Sequence, residues 1–305
     1  MLADVKRLEF DKIKTILSHY AKTDLGQSVI LSIEPMNDKE SIKDALEEVE
    51  EAKIAILRYD ATPLTGVLNL QSTLRKAEIQ SMLSIEELMR IVSHQEAIVR
   101  TFNYLKKVQL LDIKFDQLIQ YYDRIKSIST LKDQIEKIID KKGEIYDHAS
   151  PKLAKIRKQI KTSEDRINQV MAALLRSEAN KLSDSLITIR NNRLVLPVKA
   201  EYKNIFNGVV HDHSSSRETV FMEPMSCFTL NNELQSLMID EETEIDAILR
   251  QLTQEVSEYV DVIRLNLEMF TALDVIYAKA KYACDFDMTK PKLTGKVNLI
   301  NARHP

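Results

Sequence analysis

Apolar residues recur at spacings of three and four along most of the chain, which is the pattern of amphipathic helices. Before residue 150, such patterns cover four stretches, at residues 5–58, 70–78, 84–107 and 114–139, the last with one break. Ser84 and Glu87 fit a capping box at the start of the third stretch, and residues 60–69 have the proline and glycine of a loop. We therefore predict the first part of a helical core over residues 1–150.

Two longer helical patterns follow, and they enclose a different kind of sequence. Ser150 and Pro151 form a typical helix start, after which apolar residues continue at heptad-like spacing. This apolar seam consists of Leu153, Ile156, Ile160, Ile167, Val170 and Leu174. A second long pattern begins near Leu230 and reaches Ile263. We predict an outgoing helical region at 151–185, a returning one at 229–270, and a return to the core at 271–305.

The charges of these two helices favour an antiparallel pair. Residues 152–166 contain six Lys or Arg and two acids, whereas residues 236–270 contain nine acids and two arginines. In an antiparallel pair, the basic start of the first helix would lie beside acids of the second. Each exposed ion pair contributes only roughly 0.2–1 kcal/mol, so the charges select a partner more than they stabilise it. The alternative for the basic run is a nucleic-acid-binding face.

The segment between the two helices, residues 186–228, alternates like β-strands. Apolar residues alternate on either side of Asn191-Asn192, a dipeptide that tolerates positive φ, which predicts a first hairpin. Pro197 places the second strand of that hairpin at an edge or a bulge.

A second hairpin is predicted from two further strand-like runs, residues 208–213 and 217–223, which three serines join. The two hairpins together predict a small antiparallel sheet at the tip of two antiparallel helices.

Composition supports a mainly α fold and narrows the chemistry. The 305 residues include five glycines and no tryptophan, with 44% hydrophobic, 29% charged and 6% aromatic residues. Glycine supplies the positive-φ positions of tight turns and phosphate loops, so a dinucleotide-binding fold, a TIM barrel and a large β-sandwich are disfavoured. The sequence has no Walker A loop, no GxSxG, no HExxH and no CxxC motif. We therefore expect no catalytic residues, no cofactor and no enzyme activity in this chain.

Charge and targeting features indicate a cytoplasmic protein. The net charge is -3, so no overall basic field marks a nucleic-acid binder. Cys227 and Cys284 are 57 positions apart, which excludes a disulfide framework. The charged amino terminus does not resemble a signal peptide, and no apolar run approaches the ~20 residues of a membrane span. We expect no membrane association.

The second hairpin carries the most suggestive polar residues. His211 and His213 could provide two zinc ligands on one strand face, but further ligands are missing nearby, so exposed or hydrogen-bonded hairpin residues are favoured and no metal site is predicted. The alternative function is sequence-independent contact with a nucleic-acid backbone. The candidate nucleic-acid-binding residues are Arg190, Arg193, Lys199, Lys203, His211, His213, Ser214, Ser215, Ser216 and Arg217. Residues 185–225 contain five cations and four acids, so the charge argument by itself is weak.

Four separated motifs carry a family resemblance across essentially the whole chain. They are LEFDKI, GEIYDHASPKLAKIR, RNNRLVLPVKAEYKNIFNGVVHDHSSSRETVFMEP followed by NNEL, and NARHP. The sequences of these motifs and their order resemble the amino-terminal half of proteins in the bacterial type-two MutS family. These proteins are paralogues of MutS that lack the mismatch-reading domain of MutS. The resemblance implies a helical core, two antiparallel lever helices, and a β clamp inserted at their tip. This clamp corresponds to residues 186–228.

The resemblance also implies a longer protein than this chain. In the family, NARHP precedes an ABC-type ATPase domain, which would bind ATP and Mg, and a carboxy-terminal Smr nuclease domain follows. We therefore expect this chain to be a core, lever and clamp fragment that binds no nucleotide. The family roles are binding of branched DNA to suppress recombination and recognition of collided ribosomes, so DNA, ribosomal RNA and the ribosome are the expected partners. The longer protein is expected to be a homodimer.

Two other function classes stay open. The helices could form a coiled-coil interaction module with no nucleic-acid role of its own, which the composition permits equally well. A standalone enzyme is the least favoured reading, because the sequence lacks catalytic motifs.

Overall fold

The computed structural model describes residues 8–59, 64, 66–294, 298, 300, 302 and 303. Features predicted at residues 1–7, 60–63, 65 and 295–297, and Asn301, His304 and Pro305 of the NARHP motif, lie outside the described residues. The helices are α1 (Phe10–Ser18), α2 (Asp24–Leu31), α3 (Lys39–Tyr59), α4 (Gln71–Glu78), α5 (Ile85–Leu110), α6 (Ile119–Arg124), α7 (Ser129–Ile138), α8 (Pro151–Ser177), α9 (Met225–Ser257) and α10 (Val260–Asp285).

Four short strands form one antiparallel sheet. They are β1 (Thr188–Arg190), β2 (Arg193–Lys199), β3 (Gly208–His213) and β4 (Thr219–Pro224), in the order β1-β2-β4-β3. The predicted fold class, mainly α with a small antiparallel sheet, is confirmed. No helix in the described part of the chain combines the length and apolar character that crossing a bilayer requires.

The chain divides into two compact units. The first contains residues 1–137 and 250–305, and the second contains residues 138–249. The first is helical, whereas the second holds α8, the sheet and most of α9. The finer division into core, lever and clamp segments stays a prediction.

Helix α10 supplies much of the core of the first unit. Phe270 and Leu273 are fully buried, and Tyr277 is nearly so. The Tyr277 hydroxyl hydrogen-bonds with the hydroxyls of Tyr122 and Tyr104, at 3.1 Å each. A buried hydroxyl costs free energy unless it is paired, so this chain of three tyrosines satisfies polar groups inside an apolar core.

A buried carboxylate on the same helix caps the start of α2. Asp274 accepts hydrogen bonds from the backbone N–H groups of Lys22 (2.9 Å) and Thr23 (2.8 Å), and from the Thr23 hydroxyl (2.6 Å). Thr23 Oγ1 in turn accepts from Gly26 N–H at 2.9 Å. The amino end of α2 is therefore satisfied by one local side chain and one from α10.

The predicted capping signals form as expected. Ser84 N–H donates to Glu87 Oε2 at 2.9 Å, and Glu87 N–H donates to Ser84 Oγ at 3.2 Å, which completes the capping box of α5. At the start of α8, Leu153 N–H donates to Ser150 Oγ at 2.9 Å, and Pro151 occupies the first turn. These contacts join residues three positions apart, so the local sequence contains all the information they need.

In the second unit, α8 and α9 run antiparallel and pair their charges. Lys152 Nζ lies 2.8 Å from Glu244 Oε2, and Arg157 Nε lies 2.7 Å from Glu241 Oε1. The hydrogen bond from Lys152 lowers the pKa of the Glu244 carboxyl. Ser150, the cap of α8, also donates to Glu244, at 2.7 Å. The predicted complementarity of the basic and acidic runs is therefore confirmed at these residues.

The carboxy-terminal part of the apolar seam of α8, from Ile160 onward, packs under one face of the sheet. Ile167 and Met171 lie in one buried cluster with Leu196, Met222 and further residues of β2, β4 and α9. The cluster also contains Leu182, Val198, Phe206, Val220, Cys227 and Leu234. Burial raises the pKa of the Cys227 thiol, so this cysteine behaves as a small apolar residue.

The second long helical pattern spans two helices in the structure. It was predicted as one pattern from Leu230 to Ile263, but α9 begins earlier, at Met225, and ends at Ser257. Tyr259 N–H donates to Val256 O at 2.9 Å, a bond over three residues that tightens the chain before α10 starts. Apolar residues keep their three- and four-residue spacing across the break between α9 and α10, so the periodicity of the sequence does not reveal the break.

Pro197 lies in β2, which is an interior strand, but no strand pairs with Pro197 itself on the side that its nitrogen faces. Strand β1 pairs with β2 only as far as Thr188 opposite Val195. The Pro197 carbonyl accepts from Ser183 N–H at 2.9 Å, on the side away from β4. Because the nitrogen and carbonyl of one strand residue point the same way, the missing N–H of proline removes no bond to β4. The prediction that this strand lies at an edge or a bulge is therefore wrong: β2 lies between β1 and β4 and pairs regularly with β4, and Pro197 is tolerated because its nitrogen faces away from β4.

Candidate nucleic-acid interface

The first hairpin turns at Asn191-Asn192, as predicted. Both asparagines have positive φ, 51° and 59°, which is the backbone of a two-residue turn of the type that follows strand twist. Asn191 Nδ2 donates to His211 O at 3.1 Å, and Gln235 Nε2 donates to Asn192 O at 2.5 Å. The turn is thus tied to β3 on one side and to α9 on the other.

The second hairpin turns through Ser214–Arg217. Arg217 N–H donates to Ser214 O and Ser214 N–H donates to Thr219 O, both at 2.9 Å. Ser214 Oγ accepts from Thr219 N–H at 3.1 Å, and Ser216 Oγ lies 3.3 Å from Ser214 Oγ. Ser214 and Ser216 therefore build the turn with their hydroxyls, whereas Ser215 is exposed and makes no such contact in the described residues.

A buried carboxylate organises the sheet next to this hairpin. Glu223 of β4 is fully buried, and Arg193 Nη1 donates to both of its oxygens, at 2.9 and 3.1 Å. His211 Nε2 lies 2.7 Å from Oε2, and Asn231 Nδ2 donates to Oε1 at 2.8 Å. Arg193 also reaches Asn232. A buried charge is tolerated only when it is paired and hydrogen-bonded, and this network provides both.

A β-bulge brings His211 into the network. The pairing of β3 with β4 shifts between Val210 and Asp212, so His211 is an extra residue opposite β4. His213, two positions on, is exposed, so the two imidazoles do not converge on one site. No group of three or more His, Cys, Asp or Glu is placed to hold a metal ion within the described residues.

Two further candidate cations are also held within the sheet region. Arg190 Nε lies 3.2 Å from Asp212, and its guanidinium stacks over Phe221 at 4.2 Å from the ring centroid. Lys199 Nζ donates to Asn180 O at 2.9 Å. Arg190 and Lys199, like Arg193 and His211, therefore already have partners within the protein.

The remaining candidates, Lys203, His213, Ser215 and Arg217, are exposed, and their side chains have no hydrogen bond or ion pair among the described residues. Lys203 and Arg217 lie at the same end of the sheet. The 3-10 turn Ala200–Tyr202 precedes Lys203, and Ala200 N–H donates to Glu218 O at 2.9 Å, next to Arg217. We call Lys203 and Arg217 the tip cations.

Sequence reasoning missed Glu223 as the organiser of the sheet. A signal for it was present, because VFMEP places one acid in an otherwise apolar strand, and a carboxylate there needs a buried partner. The partners themselves, Arg193 and Asn231, could not be assigned without the register of the sheet.

Comparison with known proteins gives a consistent result. No family model matches the chain. Endonuclease MutS2 of Geobacillus sp. (strain WCH70) is 36% identical over 302 residues, and the putative endonuclease MutS2 of Bacillus subtilis (strain 168) is 37% identical over 302 residues. Endonuclease MutS2 of Halothermothrix orenii is 35% identical over 308 residues. Each match covers 98% of this chain.

Over nearly its whole length, the chain is similar to MutS2 proteins. The resemblance seen in the four motifs is therefore confirmed. The chain spans 38% of the length of the Geobacillus and Bacillus subtilis MutS2 proteins and 39% of the Halothermothrix protein. The similarity to MutS2 thus covers both structural units, including the sheet that carries the tip cations.

Proposed function

We propose that this chain is the core, lever and clamp region of a longer MutS2-like protein, and that the tip of its sheet contacts a nucleic-acid backbone without reading sequence. The longer protein would be a cytoplasmic homodimer with an ATPase domain, which binds ATP and Mg, and an Smr endonuclease domain. Its targets would be branched DNA or collided ribosomes. This chain would be the non-catalytic part that holds the target.

The observation that carries the proposal is the backbone conformation of Arg217. Its φ is 60°, in the left-handed region, although glycine or asparagine would adopt this turn position at lower cost. For other residues the left-handed conformation costs about 1–2 kcal/mol. An exposed arginine that has no side-chain partner among the described residues, held at a strained turn position, is more consistent with a ligand contact than with a structural role.

The surroundings of Arg217 suit a phosphate backbone. Lys203 adds a second free cation at the same end of the sheet, and the exposed Ser215 hydroxyl is a hydrogen-bond donor. Glu201 and Glu218 are exposed acids nearby, so the local excess of positive charge is small. We therefore expect weak binding that depends on salt.

Arg217→Gly tests the proposal because it separates binding from stability. Loss of one phosphate contact should flatten the dependence of log K on log salt by about 0.9 for B-DNA. The free energy of unfolding should stay within about 1 kcal/mol of the unmodified chain or rise, because glycine relieves the left-handed strain. The measurements are fluorescence anisotropy with a labelled four-way DNA junction and a structured RNA, from 50 to 200 mM salt, and urea unfolding.

Two control variants make the result specific. Arg217→Lys keeps the charge and should retain most of the affinity. Lys181→Gln removes a cation that is already paired with Glu178, at 2.6 Å, and should change affinity little. If Arg217→Gly binds both nucleic acids like the unmodified chain, with the same salt dependence, the tip contact is wrong.

One observation favours the alternative function, a coiled-coil interaction module. Met238 and Ile239 on α9 are 41% and 62% exposed, which is unusual for apolar side chains on a paired helix. If the chain binds neither nucleic acid at 50 mM salt, this alternative becomes the better explanation.

A further inference from the structure

Helix α8 carries a second set of exposed cations, at sequence positions well before Lys203 and Arg217 of the tip. Residues three, four, seven or eight positions apart lie on the same side of a helix. Lys155, Lys158, Thr162, Arg166 and Gln169 follow this spacing, and all five are exposed. We call these five residues the α8 stripe.

The cations of the α8 stripe differ from Lys152 and Arg157 of the same basic run. Lys152 and Arg157 are paired with acids of α9, as described above. In contrast, the side chains of Lys155, Lys158 and Arg166 form no ion pair or hydrogen bond among the described residues. The antiparallel helix pairing therefore explains only part of the basic run.

The rest of this side of α8 adds one exposed cation and one exposed acid, so the positive charge comes from the stripe itself. Lys161 is exposed beside the stripe and has no ion pair in the described part of the chain. Asp165 is an exposed acid on the same side, likewise without an ion pair there, and Glu164 is half-buried. Together with the stripe, this side of α8 has more cations than acids, and its cations have no ion pair among the described residues.

We infer that the α8 stripe binds a nucleic-acid sugar-phosphate backbone, an inference that rests on the proposal that this chain binds nucleic acid. Its chemistry favours phosphate over a protein partner. No large apolar side chain of α8 is exposed within the described residues, whereas protein interfaces need apolar or aromatic anchors. Gln169 adds an amide donor of the kind that commonly contacts phosphate and sugar, whereas the Thr162 hydroxyl already donates to Lys158 O at 2.9 Å.

The length of the stripe sets the size of the expected effect. Lys155 and Arg166 are 11 residues apart, which corresponds to about 16 Å along a helix. A duplex carries one charge per about 1.7 Å of axis over both strands, so three side chains over this distance have enough phosphates to contact. Each neutralised phosphate contributes about 0.9 to the salt slope of B-DNA binding, so three contribute about 2.7.

The test replaces the three cations of the stripe with glutamine, which keeps a good helix former at each position. The variant carries Lys155→Gln, Lys158→Gln and Arg166→Gln. Anisotropy titrations of the full 305-residue chain use the same DNA junction and structured RNA, from 50 to 200 mM salt. The salt slope with DNA should flatten by about 2.7, and affinity at 50 mM salt should fall at least tenfold. Circular dichroism checks that helix content is unchanged.

Lys152→Gln is the matched control for this variant. It removes one cation from the same exposed run, but that cation already pairs with Glu244. Lys152→Gln should change the slope by much less than Lys158→Gln alone. If the two single variants weaken binding equally, the effect reflects net charge and the stripe is not a site. Asp165→Asn should act in the opposite direction and tighten binding, because it removes the exposed acid beside the stripe.

The outcomes separate the stripe from the tip. Loss of binding in Arg217→Gly with no change in the triple variant would support the tip contact and overturn the stripe. The reverse result would support the stripe and overturn the tip contact. If an equal charge concentration of poly-glutamate competes as well as the junction at the same salt, the stripe is a general polyanion surface and its assignment to nucleic acid is wrong.

Discussion

The imidazole of His94 should make the stability of the helical unit sensitive to mild acid. His94 lies in α5 with 0% of its surface exposed, and its ring packs T-shaped against Phe270, 5.5 Å between centroids. Neither ring nitrogen has a hydrogen-bond partner among the described residues. Burial lowers the pKa of the His94 imidazole from its ordinary value of 6.5 to about 4. The folded chain therefore binds this proton less tightly than the unfolded chain does.

The direction and size of the effect follow from proton linkage. Between pH 6.5 and pH 4, the unfolded state holds a proton on His94 that the folded state lacks, so the free energy of unfolding falls as pH falls. The stability is fully present above pH 6.5. At about 1.4 kcal/mol per pKa unit, the complete loss is about 3 kcal/mol near pH 4. About 2 kcal/mol of that loss has occurred at pH 5.

His94→Leu should remove this pH dependence. Leucine has a similar volume and no polar atom, so it also relieves the cost of two unpaired ring nitrogens and should raise stability at pH 7 by about 1 kcal/mol. The assay is urea unfolding followed by circular dichroism at pH 7 and pH 5. The stability advantage of the variant over the unmodified chain should grow by about 2 kcal/mol between the two pH values.

Ile91→Val is the matched core control for His94→Leu. It removes one methylene from a fully buried position of the same helix, so it should cost about 1 kcal/mol at both pH values. If His94→Leu and the unmodified chain lose stability in parallel from pH 7 to pH 5, the buried imidazole does not control acid sensitivity and the reasoning fails.

Two further predictions concern the sheet. Glu223→Gln should lower the free energy of unfolding by about 3 kcal/mol, because it leaves Arg193 and His211 beside a neutral amide. Thermal unfolding monitored by circular dichroism measures this loss, and an unchanged unfolding midpoint would contradict the prediction. Gly208→Ala should cost about 1–3 kcal/mol, because a Cβ there would meet Glu223 O at 2.4 Å. The same assay checks this change, and Ser215→Ala at the exposed tip is its near-neutral control.

The structure divides the cations of the candidate interface into two groups. Arg190, Arg193 and Lys199 have acidic, aromatic or carbonyl partners within the protein, whereas Lys203 and Arg217 have none among the described residues. A cation that already has a partner must give up that contact to bind phosphate, which reduces its net contribution. The proposals for binding therefore rest on the cations that are exposed without a partner.

Local sequence determined much of this protein. The capping box of Ser84, the cap of α8 at Ser150 and the Asn191-Asn192 turn each depend on residues within a few positions, so pattern and residue type sufficed to predict them. The charges of α8 and α9 predicted their antiparallel pairing for a similar reason, because each helix carries a long run of one sign.

Tertiary structure alone decided which polar side chains are free and which are buried. Arg193 meets Glu223 across 30 positions, His211 reaches it through a bulge, and His94 loses access to water through packing against Phe270. Strand register, a bulge and burial depend on contacts between distant residues, and the spacing of residues in one sequence does not specify those contacts. The sequence therefore determined the local caps, turns and helical or strand character, while packing determined which cations remain available to a ligand.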